Sequence, residues 1–339
     1  DFEKLPFSEK DDLRRVYPLG LQAVPDEEVV RIHSSSGTTG TPVIIPYTAQ
    51  DVTDWAIQFE RCYRTAGITN LDRIQITPGY ALWTAGIGFQ LGCERLGAMA
   101  IPMGPGNTEK QLKFMRDFGT TALVATPSYA LYLSESAKEL EFPMSDYHLS
   151  LGLLGSEGCT PEMRDQIEKN WGMFVTDNYG MSELMGPGLS GECRERVGQH
   201  INEDMFLFEV IDRDTLEPIG EGQTGEIVVT TLIKEGIPLL RYRTKDITRL
   251  NYDMCACGRT HCRMEKVMVV LGDGKLMPAA EQAIYGHKAG ETFRFDFTYP
   301  ATFRVPELSG KTAQFEICLH TVERKQVPPV DDALAKSLG

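Results

Sequence analysis

Two groups of residues in this 339-residue chain carry the side-chain types and spacing that chemistry needs. The first is Ser34-Ser35-Ser36-Gly37-Thr38-Thr39-Gly40-Thr41-Pro42, just behind the short apolar run Val29-Val30-Arg31-Ile32-His33. Its glycines let the backbone approach a ligand and turn its N–H groups inward, and its hydroxyls match phosphate oxygens. No Gly-Lys-Ser/Thr closes the loop, so it is not a Walker A motif. A Ser/Gly/Thr linker has the same composition, so the loop acquires meaning only from partners farther down the chain. The second group is Cys193, His200, Cys255 and Cys257, with His261 and Cys262 as spares. Two short thiol and imidazole groups separated by a β segment can close a tetrahedral Zn²⁺ site whose ligands all come from protein, as in a structural staple.

The elements that must position these groups alternate. Helical periodicity is expected over 51–65, 89–96, 108–118, 127–140 and 161–170, and strands over 73–77, 98–102, 121–125, 149–154 and 173–176. Asn107 is expected to cap the third of these helices. Strands alternating with helices imply parallel βαβ units, whose ligands sit beyond the C-terminal strand ends. The chain puts Gly79-Tyr80, Thr126-Pro127-Ser128-Tyr129, Gly155-Ser156-Glu157-Gly158 and Asp177-Asn178-Tyr179-Gly180 at those ends. From about Met205 the pattern turns β-rich. The expected fold class is therefore α/β. It comprises a large N-terminal domain (1–267) with mostly parallel sheets and a β subdomain (about 205–265), plus a small, mobile α+β C-terminal domain (268–339) that looks incomplete.

Composition removes whole classes of function. A net charge of −14 argues against a nucleic-acid scaffold and against docking on anionic membranes. No apolar run approaches the roughly 18 residues of a spanning helix. Asp1–Lys10 has neither a basic n-region nor an apolar h-region, so no signal peptide is expected, and the eight cysteines read as reduced, cytoplasmic thiols.

The order of the loops carries a resemblance. Ser-Ser-Ser-Gly-Thr-Thr-Gly-x-Pro, Thr-Pro-Ser-Tyr, Gly-Ser-Glu-Gly, Asn-Tyr-Gly-Met-Ser-Glu and Arg-Tyr-Arg-Thr-x-Asp together resemble the adenylate-forming superfamily. Gly186-Pro187-Gly188, the run 198–204 and Cys255-Ala256-Cys257-Gly258-Arg259-Thr260 look like its phenylacetate–CoA ligase branch. The resemblance implies ATP-dependent activation of a carboxylic acid to an acyl-adenylate, then thioester formation with coenzyme A, releasing AMP and pyrophosphate. A carrier-protein thiol as acceptor, or nucleotide binding without catalysis, are the alternative readings. It implies that Ser35, Ser36, Gly37, Thr38, Thr39 and Gly40 hold the β- and γ-phosphates, although the family usually has Lys where this chain has Thr41. Ser182 would bond the α-phosphate and Glu183 would hold Mg²⁺ through a hard oxygen. Asp177, Asn178, Tyr179, Gly180 and Met181 would border the adenine, with Ser156, Glu157 and Gly158 opposite, and Asp246 would accept the ribose hydroxyls. Tyr80, Trp83, Ala85, Gly86, Tyr129 and Gly155 would line a pocket for a flat aryl or arylacetic acid. The partners implied are an aromatic acid, ATP and coenzyme A, or a carrier protein in place of coenzyme A, with no nucleic acid and no membrane, and a homodimer is compatible with this reading.

The C-terminal region departs from the family. The expected Gly-Arg-x-Asp-Asp hinge is absent between Arg263 and Gly272, either deleted or missing from the chain as given, and no late catalytic Lys is assignable after Gly310-Lys311.

Overall fold

The computed structural model describes residues 2–35, 41–265, 267–268, 271–272, 276–301, 309–319 and 322. The chain divides into two compact units, Asp1–Met268 and Val269–Gly339.

The first unit opens with α1 (Lys10–Arg15), the hairpin β1 (Val29–Ser34) and β2 (Ile44–Thr48), then α2 (Ala49–Ala66). It continues through β3 (Arg73–Ile76), α3 (Thr84–Leu96), β4 (Met99–Pro102), α4 (Thr108–Asp117), β5 (Ala122–Ala125), α5 (Pro127–Glu139), β6 (Leu151–Gly155) and α6 (Pro161–Trp171). The strands β7 (Phe174–Met181), β8 (Gly186–Glu192), β9 (Gln199–Ile201), β10 (Phe206–Ile211), β11 (Gly225–Thr231), β12 (Tyr242–Thr248), β13 (Leu250–Asn251) and β14 (Arg263–Met264) complete it.

Nine strands form one sheet in the order β13-β14-β9-β8-β7-β6-β5-β3-β4. The β4, β3, β5, β6 and β7 strands pair in parallel, and β8, β9, β14 and β13 extend the sheet antiparallel. Burial on both faces explains the unbroken apolar runs of β5 and β6. Successive side chains alternate between two cores: Ala122 and Val124 join Trp55, Phe59 and Phe89 of α2 and α3, while Leu123 and Ala125 join Leu112, Leu133 and Trp171 of α4, α5 and α6.

Local sequence explains the helix ends. Thr48 accepts the Asp51 N–H while the Asp51 carboxylate accepts the Thr48 N–H, a reciprocal capping box that starts α2. Gly67 at φ +93° ends it. Thr126 and Thr160 cap α5 and α6 ahead of Pro127 and Pro161. Burying Trp55, Phe59 and Tyr63 on one stripe of α2 contributes about 1.5–3 kcal/mol each.

Four expectations change. Asn107 precedes α4 in a left-handed conformation and makes no side-chain cap. The α3 helix begins at Thr84, five residues before its apolar periodicity starts. The Asp177-Asn178-Tyr179-Gly180 run lies inside β7 rather than in a loop beyond it, because β6 and β8 pair with it on both sides. Of the stretch at 205–265, only β10, β11 and β12 form a separate sheet, whereas β13 and β14 join the large one.

In the second unit, α7 (Pro278–Ile284) precedes an antiparallel pair, β15 (Thr292–Thr298) and β16 (Thr312–Cys318), in register over seven residues. Phe295 stacks on Phe315 at 5.3 Å and His287 on Phe293 at 3.7 Å. The expected terminal helix near 331–338 falls outside the described residues.

Candidate functional site

Segments following β3, β5, β6 and β7 meet at one end of the sheet, where parallel strands leave their backbone ends open. A cavity of about 480 Å³ is lined by Thr77, Pro78, Gly79, Trp83, Pro105, Thr126, Ser128, Tyr129 and Tyr132. The Tyr129 and Tyr132 rings stack 6.2 Å apart on one face of α5. Of the expected pocket residues, only Trp83 and Tyr129 line this cavity. Ala85 is fully buried, and Gly86 packs where a Cβ would meet Gly79 O at 2.6 Å, so both hold the loop rather than face the cavity. Gly155 lies against the Asn178 amide, and the Tyr80 hydroxyl is buried without a partner. Tyr132 was missed, yet its spacing of three from Tyr129 on a helix is the signal that finds it.

The polar residues divide between two faces of β7. Asn178 donates to Leu154 O at 2.6 Å, while its own carbonyl oxygen is buried and unpartnered. Tyr179 donates to Asp246 Oδ2 at 2.6 Å, bringing together two residues 67 apart in sequence. Burial, then Asp246, pushes the Tyr179 phenol well above its ordinary range, so it stays a donor. Asp177 has other partners: its N–H donates to Glu192, and Gln199 donates to its carboxylate at 3.2 Å, in a separate polar cleft with Arg164 and Arg263. Asp177 therefore does not border the same space as Asn178.

The turn after β7 holds the two residues expected to do chemistry. Ser182 Oγ lies 3.3 Å from Thr84 Oγ1, one residue from the cavity wall at Trp83. Glu183 is 3% exposed, and Lys10 Nζ stands 2.9 Å from its Oε1 as an ion pair reaching in from α1. Lys234, 4% exposed, donates to the Glu183 carbonyl at 3.4 Å and lies 4.7 Å from the Tyr47 ring centre. Burial drives its ammonium down to about 7, opposed by Asp51 and Glu183. Neither lysine was marked in the sequence, where more than 170 positions separate Lys10 from Glu183.

Gly180 is where β7 and β8 close on each other: a Cβ there would lie 2.0 Å from Gly186 O. Gly180→Ala is therefore expected to lose about 3 kcal/mol in urea unfolding, while Gly158→Ala, with open space around it, changes little. Asp246→Ala should remove the carboxylate partner of Tyr179 and, if Asp246 meets the ribose, raise the KM for ATP about 10–100-fold. Unchanged KM in steady-state kinetics would remove Asp246 from the nucleotide site.

At the opposite wall, Glu157 Oε1 accepts the Ser128 N–H at 2.6 Å, Ser156 adopts φ +70°, and Gly158 is exposed. The Ser35 hydroxyl accepts the Val43 N–H at 3.0 Å and pins the neck of the 34–42 loop. Ser36, Gly37, Thr38, Thr39 and Gly40 lie outside the described residues.

Cys193, His200, Cys255 and Cys257 converge, with ligand atoms all within 4.8 Å of one another. The Cys193–Cys255 sulfurs are 3.8 Å apart, and Cys257 Sγ is 3.4 Å from His200 Nε2. A tetrahedron of 2.3 Å zinc–sulfur bonds has edges of about 3.8 Å, so the set fits that ion. Burial brings His200 down to about 4, which leaves the ring neutral. Burial pushes the Cys257 thiol up, but hydrogen bonds from Arg259, Cys255 and Cys193 together bring it to about 7. Cys262 bonds weakly to Arg263 O, and neither it nor His261 joins the group.

A family model described as AMP-binding enzyme matches residues 2–232. The phenylacetate–coenzyme A ligase of Thermus thermophilus is 44% identical over 269 residues, 79% of this chain and 60% of that protein. The chain thus spans about three-fifths of the curated ligases it matches. A crystal structure of 2-hydroxyisobutyryl-CoA ligase, in an open conformation with its acyl-AMP and CoA, has a TM-score of 0.75 and 26% identity, covering 80% of this chain and 66% of that one. The trigger factor of Cupriavidus metallidurans is 46% identical over 77 residues, 23% of this chain and 17% of that protein. Among the described residues, no helix is long and apolar enough to cross a membrane.

Proposed function

Because this chain belongs to the AMP-binding enzyme family, we propose that it activates an aromatic carboxylic acid with ATP to an acyl-adenylate and passes the acyl group to the thiol of coenzyme A. In the first step a carboxylate oxygen attacks the α-phosphorus and pyrophosphate leaves. In the second the thiol attacks the acyl carbon and AMP leaves. The observation that carries this reading is the Thr84–Ser182 contact, which joins the aromatic cavity to the turn that would bind the α-phosphate. An acid held against Trp83 and Tyr129 would then present its carboxylate beside Ser182, so the chain's work is orientation and charge neutralisation. Mg²⁺, which Glu183 would hold, supplies charge neutralisation of the polyphosphate. The Cys193, His200, Cys255 and Cys257 group would hold a structural Zn²⁺, and its free thiols suit a reducing, cytoplasmic setting.

A second reading stops at the adenylate. The ligase hinge and late Lys are not assignable after Arg263, which favours a chain whose work ends at the adenylate. The test is ATP–pyrophosphate exchange with a panel of aryl and arylacetic acids, followed by thioester assay with coenzyme A. Exchange with thioester supports the ligase. Exchange alone supports the second reading. No exchange with any acid rejects both.

A further inference from the structure

The 34–42 loop contains no cation, although the phosphates it would face carry several negative charges. The structure supplies one from elsewhere. Lys234 lies in the connection between β11 and β12, and its side chain is buried. Among the described residues no carboxylate forms an ion pair with it: the Asp51 oxygens are occupied by the N–H groups of Thr48, Glu235 and Gly236, and Glu183 Oε1 faces Lys10. Its ammonium instead meets the Glu183 carbonyl and the Tyr47 ring, at the base of the β1–β2 hairpin whose connection is the hydroxyl-rich loop. Around it, the Tyr47 hydroxyl and His33 Nε2 are buried with no hydrogen-bond partner among the described residues. Asp51 grips the backbone on either side of the Glu235–Gly236 bond, which fixes the segment that carries Lys234.

A buried ammonium without a close ion-pair partner is unfavourable for stability, and an anion brought against it offsets that cost. We propose that Lys234 is a positioning residue for the nucleotide phosphates: it holds the Ser182–Glu183 turn through the Glu183 carbonyl and provides the positive charge that the loop lacks. This rests on the reading of that turn as the phosphate site. Asp51 on α2, Glu183 on the turn, Arg31 and His33 on β1 and Tyr47 on β2 are the groups whose charge or polarity shapes its field.

The experiment compares the full-length wild type with Lys234→Met, which keeps length and apolar stem but removes the charge, and with Lys234→Arg. Binding of MgATP, AMP and adenosine is measured by calorimetry, and melting temperature is measured without ligand. The expected result for Lys234→Met is MgATP affinity reduced at least tenfold, AMP affinity reduced less, adenosine affinity unchanged, and a melting temperature equal to or above wild type. Lys234→Arg should recover part of the MgATP affinity. A lower melting temperature with all three ligands weakened alike assigns a structural role and overturns the proposal. So does MgATP affinity within threefold of wild type. If the wild type itself binds adenosine but not MgATP, the phosphate-site reading fails independently of Lys234.

Discussion

Glu183→Gln is expected to reduce ATP–pyrophosphate exchange by a factor of about 10²–10³ or more, the scale of removing one preorganised group that stabilises developing charge. Gln keeps the shape of the side chain but not the charge that would hold Mg²⁺. The buried carboxylate is paired with Lys10, so the substitution leaves that ammonium, 41% exposed, to turn into solvent at little cost. Nucleotide binding should survive in part, because the Asn178, Tyr179 and Asp246 contacts do not involve the metal. Binding calorimetry with AMP alongside the exchange assay separates the two effects. Exchange near the wild-type rate would take Glu183 out of the mechanism.

The second large effect concerns the Cys193, His200, Cys255 and Cys257 group. Purified protein should contain about one zinc per chain, as four-ligand structural sites do. Replacing the buried Cys255 by Ser should cost more than about 3 kcal/mol, a fall in melting temperature of roughly 6–12 °C for a domain of this size. Adenylation well below the new melting temperature should stay near normal, because a closed site offers no position for substrate. Metal analysis that finds none after purification without chelators rejects the assignment.

The parallel half of the sheet was legible because burial on both faces leaves apolar runs, and caps such as Thr160-Pro161 mark where helices start. The antiparallel half was less so. Leu250–Asn251 and Arg263–Met264 are two-residue strands whose place depends on long-range register with β9, and no local pattern encodes that. The Asp-Asn-Tyr-Gly run has the composition of a turn, and only pairing on both sides makes it a strand. In the site, Ser182 and Glu183 could be marked from their motif, and Asp246 from its own. What the sequence hid is which face of a strand each residue takes, as with Asp177, and which distant cations come to a buried carboxylate, as with Lys10 and Lys234. The convergence of Cys193, His200, Cys255 and Cys257 was legible because thiols and imidazole at short spacings have few other joint uses.

The strand order gives the metal group a further consequence. Outside β8, the sheet continues only through β9, β14 and β13, which are three, two and two residues long. Cys193 directly follows β8, His200 lies in β9, and Cys255 and Cys257 lie between β13 and β14, so one ion would clasp this whole margin to β8. If the clasp opens, seven residues of β8, nearly all buried and rich in glycine, become a free hydrogen-bonding edge, the kind of surface on which chains add to one another. The group then protects solubility as much as fold. A metal-stripped sample should form β-rich aggregates at temperatures where its nucleotide site is still intact, so zinc supply would set how long the protein persists in solution.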